Sequence, residues 1–402
     1  MKRIYEAVIL DHIKLYRQML FIMGPRQVGK TTTTYNVGEL WKNFTYYNWD
    51  KDEDREIILS GASAIAQQAK LENLAKKAPL LIFDEIHKFK KWKLFLKGLY
   101  DSYPNQAHIL ATGSAKLNVY RRGGDSLMGR YFPFRFHPLS IAEIVNPSIP
   151  KTEIRSKPKQ ISDHDFDKLL KYGGYPDPFI NGTDRFYNRW KNLRLEKLFK
   201  EDIRDLTRVQ ELDQLQTMAL LLQNQIGQNT SYESLAKKVR VSSNTIRNWF
   251  SILKNIYYCF EVRPWSKNIT RSLLKEPKYY LWDWSLCEDP GARAENFVAS
   301  HLLKAVHFWT EYGFGDYDLY YLRDKDQREV DFVITKNKQP WILIEVKNSM
   351  QNLSPSLIYF QQMIQAPYAF QLTFDTPFIN KNCFISSRPI IVPAKTFLSQ
   401  LI

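Results

Sequence analysis

MLFIMGPRQVGKT, residues 19–31, is the stretch that decides how the first part of the chain folds. Met19 to Met23 is an unbroken apolar run, the pattern of a parallel strand covered on both faces. Gly24-Pro-Arg-Gln-Val-Gly-Lys30-Thr31 follows at once and meets every defined position of G-x-x-x-x-G-K-[ST]. A helix-compatible, Thr-rich stretch comes next, so the motif lies between a strand and a helix, the context it requires. The glycines let backbone N–H groups turn inward around phosphate oxygens, and the helix N-terminus adds its dipole. Gly24, Pro25, Arg26, Gln27, Val28, Gly29, Lys30, Thr31 and Thr32 are therefore expected to hold ATP. Lys30 reaches for the β- and γ-phosphates and Thr31 is a ligand for Mg²⁺.

Working outward, Phe44 to Trp49, Leu80 to Phe83 and Ile109 to Thr112 read as further strands alternating with helical stretches, the mark of an α/β sheet. The third of these four strands ends in Asp84-Glu85. Asp84 is placed to hold the Mg²⁺ shell, and Glu85 to polarise the attacking water as a general base. The fourth ends in Thr112-Gly-Ser114, where Ser114 or Thr112 can hydrogen-bond the γ-phosphate or the water; a plain strand-to-turn ending fits the same residues. Arg121, Arg122, Arg130 and Arg135 follow. Of these, Arg130 is the candidate arginine finger for a neighbouring subunit, and equally a candidate surface or nucleic-acid-binding arginine.

In the middle of the chain, Ser231 to Val239 reads as a short helix with a serine cap, Arg240-Val-Ser242 as a turn and Ser243 to Leu253 as a second helix. Ile246, Trp249, Phe250 and Leu253 recur at i, i+3, i+4 and i+7 and form the buried face. Asn244, Thr245, Arg247 and Asn248 remain outside as candidate DNA contacts, phosphate or base edge. A helical lid or subunit contact produces the same pattern.

Toward the C-terminus, Val330 to Ile334 and Ile342 to Lys347 read as a hairpin that brings Asp331 beside Glu345. Glu345 and Lys347 point to one face because side chains alternate along a strand. Paired carboxylates suit Mg²⁺, Lys347 can orient water or stabilise charge on a phosphate, and Glu295 on a preceding helix adds another group. The metal set expected here is Glu295, Asp331 and Glu345, with Asp331, Glu345 and Lys347 catalytic. Asp331 with Glu345-x-Lys347 resembles the PD-(D/E)xK nuclease core, although the proline usual before the aspartate is missing.

Taken together, Gly24 to Thr31, Leu80 to Glu85, Thr112-Gly-Ser114, Met128-Gly-Arg130, Gly173-Gly-Tyr-Pro176, Lys275-Glu-Pro-Lys-Tyr279, Asp283, Glu295-Asn296 and Glu329-Val-Asp331 resemble the prokaryotic AAA-type P-loop ATPases with a C-terminal domain of unknown function. The resemblance implies an α/β chain with an AAA-like P-loop ATPase domain, a helical and winged-helix-like middle and a restriction-endonuclease-like C-terminal α/β domain. The expected boundaries are 1–135 for the ATPase core, 136–210 for a helical lid or connector, 211–284 for the winged-helix-like part and 285–402 for the nuclease-like domain.

Composition bounds the rest. Fifty-seven Lys and Arg against 42 Asp and Glu give a charge of +15, which favours polyanionic partners, DNA first. Three scattered cysteines, with no C-x-x-C, argue against a disulfide framework or a zinc site and fit a reducing cytoplasm. No apolar run is long enough to span a membrane. The expectation is an ATP- and Mg²⁺-dependent protein that binds and remodels DNA, branched forms included, as a ring or smaller homo-oligomer. The alternative is a nucleotide-dependent switch that binds a protein partner, with an inert nuclease-like domain.

Overall fold

The computed structural model describes residues 1–71, 77–113, 127–203, 211–266, 276–349 and 352–402, without the side chains of 201 and 202. Ser114, Arg121 and Arg122 lie outside the described residues. The chain forms two compact units, Met1–His137 with Pro147–Ile149, and Pro138–Asn146 with Pro150–Ile402. The second takes in the sequence segments 136–210, 211–284 and 285–402 apart from residues 136, 137 and 147–149.

The first unit is built on five parallel strands: β1 (Met19–Met23), β2 (Phe44–Asn48), β3 (Leu80–Asp84), β4 (His108–Gly113) and β5 (Tyr131–Arg135). Their order is β2-β3-β4-β1-β5. β1 and β3 are buried at every position, as their apolar sequences require. β4 lies between them, so its end enters the space between the glycine-bearing loop after β1 and Asp84. β5 was not foreseen: it is partly exposed and carries Pro133, which an edge strand tolerates because its N–H is not needed by a further neighbour. Phe21, Phe83, Leu96 and Trp92 are among the residues that fill one face of the sheet.

The second unit carries a seven-stranded sheet in the order β12-β11-β10-β9-β8-β6-β7. Its strands are β6 (Cys259–Pro264), β7 (Lys278–Leu281), β8 (Tyr317–Arg323), β9 (Glu329–Lys336), β10 (Gln339–Lys347), β11 (Tyr368–Thr373) and β12 (Ile390–Pro393). β8, β9 and β10 form an antiparallel meander, whereas β10, β11 and β12 run parallel. The helix Pro355–Ile364 supplies the crossover from β10 to β11. β6 and β7 precede residue 285 and nonetheless complete this sheet. The helix Pro290–Tyr312 starts where Asp289 accepts the Ala292 N–H and Pro290 occupies the first turn, and it ends at left-handed Gly313.

The two middle helices are Tyr232–Val239 and Ser243–Asn255, capped by Ser231 and Ser242. Arg240 turns the chain between them in the left-handed conformation. Ile246, Trp249, Phe250 and Leu253 are the buried positions of the second helix, as their spacing predicts.

His301 pins the helix Pro290–Tyr312 to the chain at Ile141. Its Nε2 accepts the Ile141 N–H at 3.1 Å, which leaves the proton on Nδ1 for the Phe297 carbonyl at 2.8 Å. Burial holds its pKa down to about 3. The unfolded chain takes up a proton below about 6.5 that the folded chain refuses until about 3, so stability present above 6.5 drains away on acidification. The expected slope from this group is about 1.4 kcal/mol per pH unit across that window. Urea denaturation between pH 7 and 4 should show it in the wild type, and His301→Gln should flatten it. An equal slope in both proteins would remove His301 as the cause.

Candidate functional sites

The first site lies at the carboxyl ends of β1, β3 and β4. Gln27 (φ 61°) and Gly29 (φ 99°) take left-handed conformations that curl the loop into the helix beginning at Lys30. Gly24 is required because a Cβ there would stand 2.3 Å from the Phe136 carbonyl oxygen. Lys30 is buried, and its Nζ donates to the carbonyls of Gly24 at 2.9 Å and Pro25 at 2.8 Å. Val28 is buried in the core, Pro25 is buried, Arg26 is half-buried, and Gln27, Thr31 and Thr32 are exposed.

Asp84 is 1% exposed. Its Oδ2 accepts from Thr31 Oγ1 at 2.7 Å and from the Tyr46 hydroxyl at 2.5 Å, while Thr112 Oγ1 donates to Oδ1. Thr112 Oγ1 also accepts the Glu85 N–H at 3.2 Å. Glu85 sits in the left-handed region (φ 54°), with Oε2 3.5 Å from His87 Nδ1. Burial, followed by the charge of Asp84, pushes the Tyr46 phenol up, so it remains a donor. Burial likewise lowers His87, against the pull of Glu85, and keeps its imidazole neutral at pH 7. Thr31 and Asp84 are thus two hard oxygen donors already side by side, which fits Mg²⁺.

Two residues of this site escaped sequence reasoning. Tyr46 comes from β2, whose pairing of Asn48 with Asp84 puts Tyr46 two positions back on the same face. Buried Arg3 donates to the Val28 carbonyl at 2.6 Å and the His137 carbonyl at 2.7 Å, bracing the loop from outside the motif. No sequence pattern signals either contact.

Arg130 occupies the start of β5, where its carbonyl accepts the Met19 N–H and its guanidinium pairs with Asp101 at 2.8 Å. The phosphate-binding loop leaves the other end of β1, a five-residue strand roughly 16 Å long at ~3.3 Å per residue. Arg130 is therefore out of reach of its own subunit's loop.

The second site lies on β7, β9, β10 and the helix Pro290–Tyr312. The pairing of Ile344 with Phe332 sets the next positions, Asp331 and Glu345, side by side. Asp331 Oδ2 accepts the Val346 N–H at 2.8 Å. Glu345 Oε1 pairs with Lys347 Nζ at 2.8 Å, while its buried Oε2 has no hydrogen-bond partner. Lys278 Nζ lies 2.5 Å from Glu329 Oε1 and 3.6 Å from Glu295 Oε1. The Tyr280 hydroxyl donates to Glu295 Oε1 at 2.6 Å.

Burial first, and the Asp331 charge second, raise both Glu295 and Glu345 above the usual carboxylate range. Asp331 is raised by burial against the opposing pull of Lys278. Burial alone would lower Lys278, but Glu295, Asp331 and Glu329 outweigh it and raise it. The expected three-carboxylate cage of Glu295, Asp331 and Glu345 is not formed: among the described residues no three His, Cys, Asp or Glu are arranged to hold a metal ion. The reason is visible in the contacts, since Lys278 and Tyr280 engage Glu295. Asp331 and the bare Glu345 Oε2 remain, a two-carboxylate donor set of the kind Mg²⁺ takes while keeping several waters.

On the helix Ser243–Asn255, Asn244, Arg247 and Asn248 are exposed and Thr245 is half-buried beside Ser242 Oγ at 2.9 Å. Arg247 borders a groove of about 640 Å³ that Tyr232, Lys254, Glu261, Arg263 and Tyr279 also line. Glu261 pairs with Lys254 at 2.8 Å and Arg263 at 3.2 Å and offsets their charge.

Comparison with known proteins agrees with the first site. A family described as an AAA domain matches residues 16–145, and two families described as domains of unknown function match 163–289 and 290–375. The uncharacterized protein MJ1637 of Methanocaldococcus jannaschii is 25% identical over 276 residues, 62% of this chain and only 57% of that protein. MJ1544 of the same organism is 22% identical over 83% of this chain and 79% of its own length. The uncharacterized protein Rv2008c of Mycobacterium tuberculosis is 22% identical over 84% and 72%. Among solved structures, AMPPCP-bound DnaA from Aquifex aeolicus aligns over 61% of this chain and 86% of its own at 12% identity, with a TM-score of 0.31, too low to argue from. No helix among the described residues is long and apolar enough to cross a membrane. The loop, Asp84 and Glu85 stand at the ends of adjoining parallel strands, and residues 16–145, which hold them, are similar to the AAA domain family.

Proposed function

We propose that the protein couples ATP hydrolysis to the processing of DNA in the cytoplasm and that its C-terminal unit cleaves phosphodiester bonds with Mg²⁺. The observation that carries the second half is the bare, buried Glu345 Oε2 beside Asp331, with Lys347 on the same face. A buried carboxylate oxygen without a partner is costly, and a bound cation removes that cost. The Glu-bearing helix, Asp331 on β9 and Glu345-x-Lys347 on β10 keep the order of the PD-(D/E)xK resemblance.

In the first unit, Lys30 would leave the Gly24 and Pro25 carbonyls for the phosphates, and Thr31 with Asp84 would hold Mg²⁺. Glu85, held to Thr112 through its backbone, would orient the attacking water. Ser114 remains part of the proposal as the γ-phosphate contact. Arg130, unable to serve its own site, would serve a neighbour's, which requires a homo-oligomer. In the second unit, Mg²⁺ when bound would polarise the phosphate and lower the pKa of its water. Asp331 and Glu345 would hold it, and Lys347 would stabilise charge on the phosphate oxygens. The charge of +15 and exposed Asn244, Arg247 and Asn248, with Thr245, favour DNA as the polyanion.

Lys30→Ala should weaken ATP binding at least about tenfold, the loss of roughly 1.4 kcal/mol or more, as read with a fluorescent ATP analogue. Glu85→Gln should bind ATP normally and lose turnover by about 10² or more, the usual scale for a general base. Turnover at the wild-type rate would remove Glu85 from that role. Mixed Arg130→Ala and Lys30→Ala oligomers should recover part of the hydrolysis that each variant lacks, and no recovery in verified mixed assemblies would exclude the finger. Lys347→Ala should abolish nicking of plasmid DNA and leave ATP hydrolysis intact. Equal nicking by wild type and variant would overturn the nuclease reading.

A further inference from the structure

The cluster carried by β7, β9, β10 and the helix Pro290–Tyr312 holds four carboxylates, Glu295, Glu329, Asp331 and Glu345, and two ammonium groups, Lys278 and Lys347. Lys347 was expected there; Lys278 was not. Lys278 comes from β7, the terminal strand of the sheet, and its side chain is only 3% exposed. A buried ammonium is tolerated only where anions and hydrogen bonds replace its water. Here Glu329 and Glu295 do so, and Tyr280 fixes Glu295 in that arrangement.

The consequence is a division of the carboxylates into two pairs. Glu295 and Glu329 are engaged by Lys278, whereas Asp331 and the bare Glu345 Oε2 are not held by it through any hydrogen bond. We propose that Lys278 is a built-in cation that takes the place of a second divalent ion, so that this centre binds one divalent ion, on Asp331 and Glu345. The inference rests on the reading of the centre as a Mg²⁺ site. A simple structural role, an ion pair that only neutralises the helix carboxylate, makes no demand on how many ions bind. The substitution effect on stoichiometry is therefore what separates the two. Lys278 is a positioning residue in this scheme: it holds Glu295 and Glu329 away from the metal and supplies positive charge beside it without dissociating.

The experiment counts Mn²⁺ bound to the full chain, without nucleotide, by calorimetry and by the electron paramagnetic resonance signal of free Mn²⁺. The wild type should bind one ion that is lost in Asp331→Asn, which subtracts any binding at the first unit. Lys278→Gln and Lys278→Met, the latter keeping much of the apolar stem, should each bind two, because Glu295 and Glu329 are released. One ion in either folded variant, or two Asp331-dependent ions in the wild type, overturns the proposal while leaving the metal reading in place. No Asp331-dependent ion in the wild type overturns both. Circular dichroism establishes folding; two Asp331-dependent ions in the wild type overturn the proposal even if neither variant folds.

Discussion

The arrangement of the N-terminal unit depends on keeping a carboxylate, Asp84, almost wholly buried at the end of a fully apolar strand. An isolated ionised carboxyl in that position would cost several kcal/mol, so it must be hydrogen-bonded on both oxygens. Three hydroxyls do this, from three different elements: Thr31 after the loop, Tyr46 on β2 and Thr112 on β4. The strand order serves the same need, since β4 lies beside β3 and brings Thr112 to Asp84. Chemistry and fold are here one requirement: the groups that make Asp84 tolerable are those that fix it beside Thr31, with which it would hold Mg²⁺.

The C-terminal unit meets a harder version of the same problem. Four carboxylates share one cluster, and burial, followed by the charge of Asp331, raises the pKa of Glu295 and Glu345. Two lysines offset part of this charge, and the oxygen that neither satisfies, Glu345 Oε2, marks where the remaining positive charge is wanted. Such a cluster is poor scaffolding, because apolar side chains of similar volume would take its place at lower cost. Perturbed carboxylates kept together beside lysines are what a phosphate-directed metal centre requires.

Much of this was legible in the sequence, and the reasons differ by element. The strand before Gly24 and the loop through Thr31 could be read because the motif encodes backbone geometry directly: Gly29 takes the left-handed conformation and Gly24 has no room for a side chain. The helices around Ile246 and Trp249 could be read from their period, and the hairpin carrying Asp331 and Glu345 from alternation. What could not be read were contacts between elements far apart in the sequence. Tyr46, Arg3 and Lys278 matter through partners 38, 25 and 51 residues away, and local pattern carries no information at that range. The edge strand Tyr131–Arg135 was missed because Pro133 and its half-exposed positions break the apolar run that marked the inner strands.

In the proposed function, ATP turnover in the first unit serves work on DNA. The most direct measurement is steady-state ATP hydrolysis by the full chain with Mg²⁺, at low salt, without DNA and with single-stranded, duplex and branched DNA. The account predicts that at least one form raises turnover severalfold and that added salt erases the effect, because phosphate contacts release counterions. Turnover indifferent to every DNA, with no binding at low salt, would contradict it and leave an ATPase whose partner is not nucleic acid.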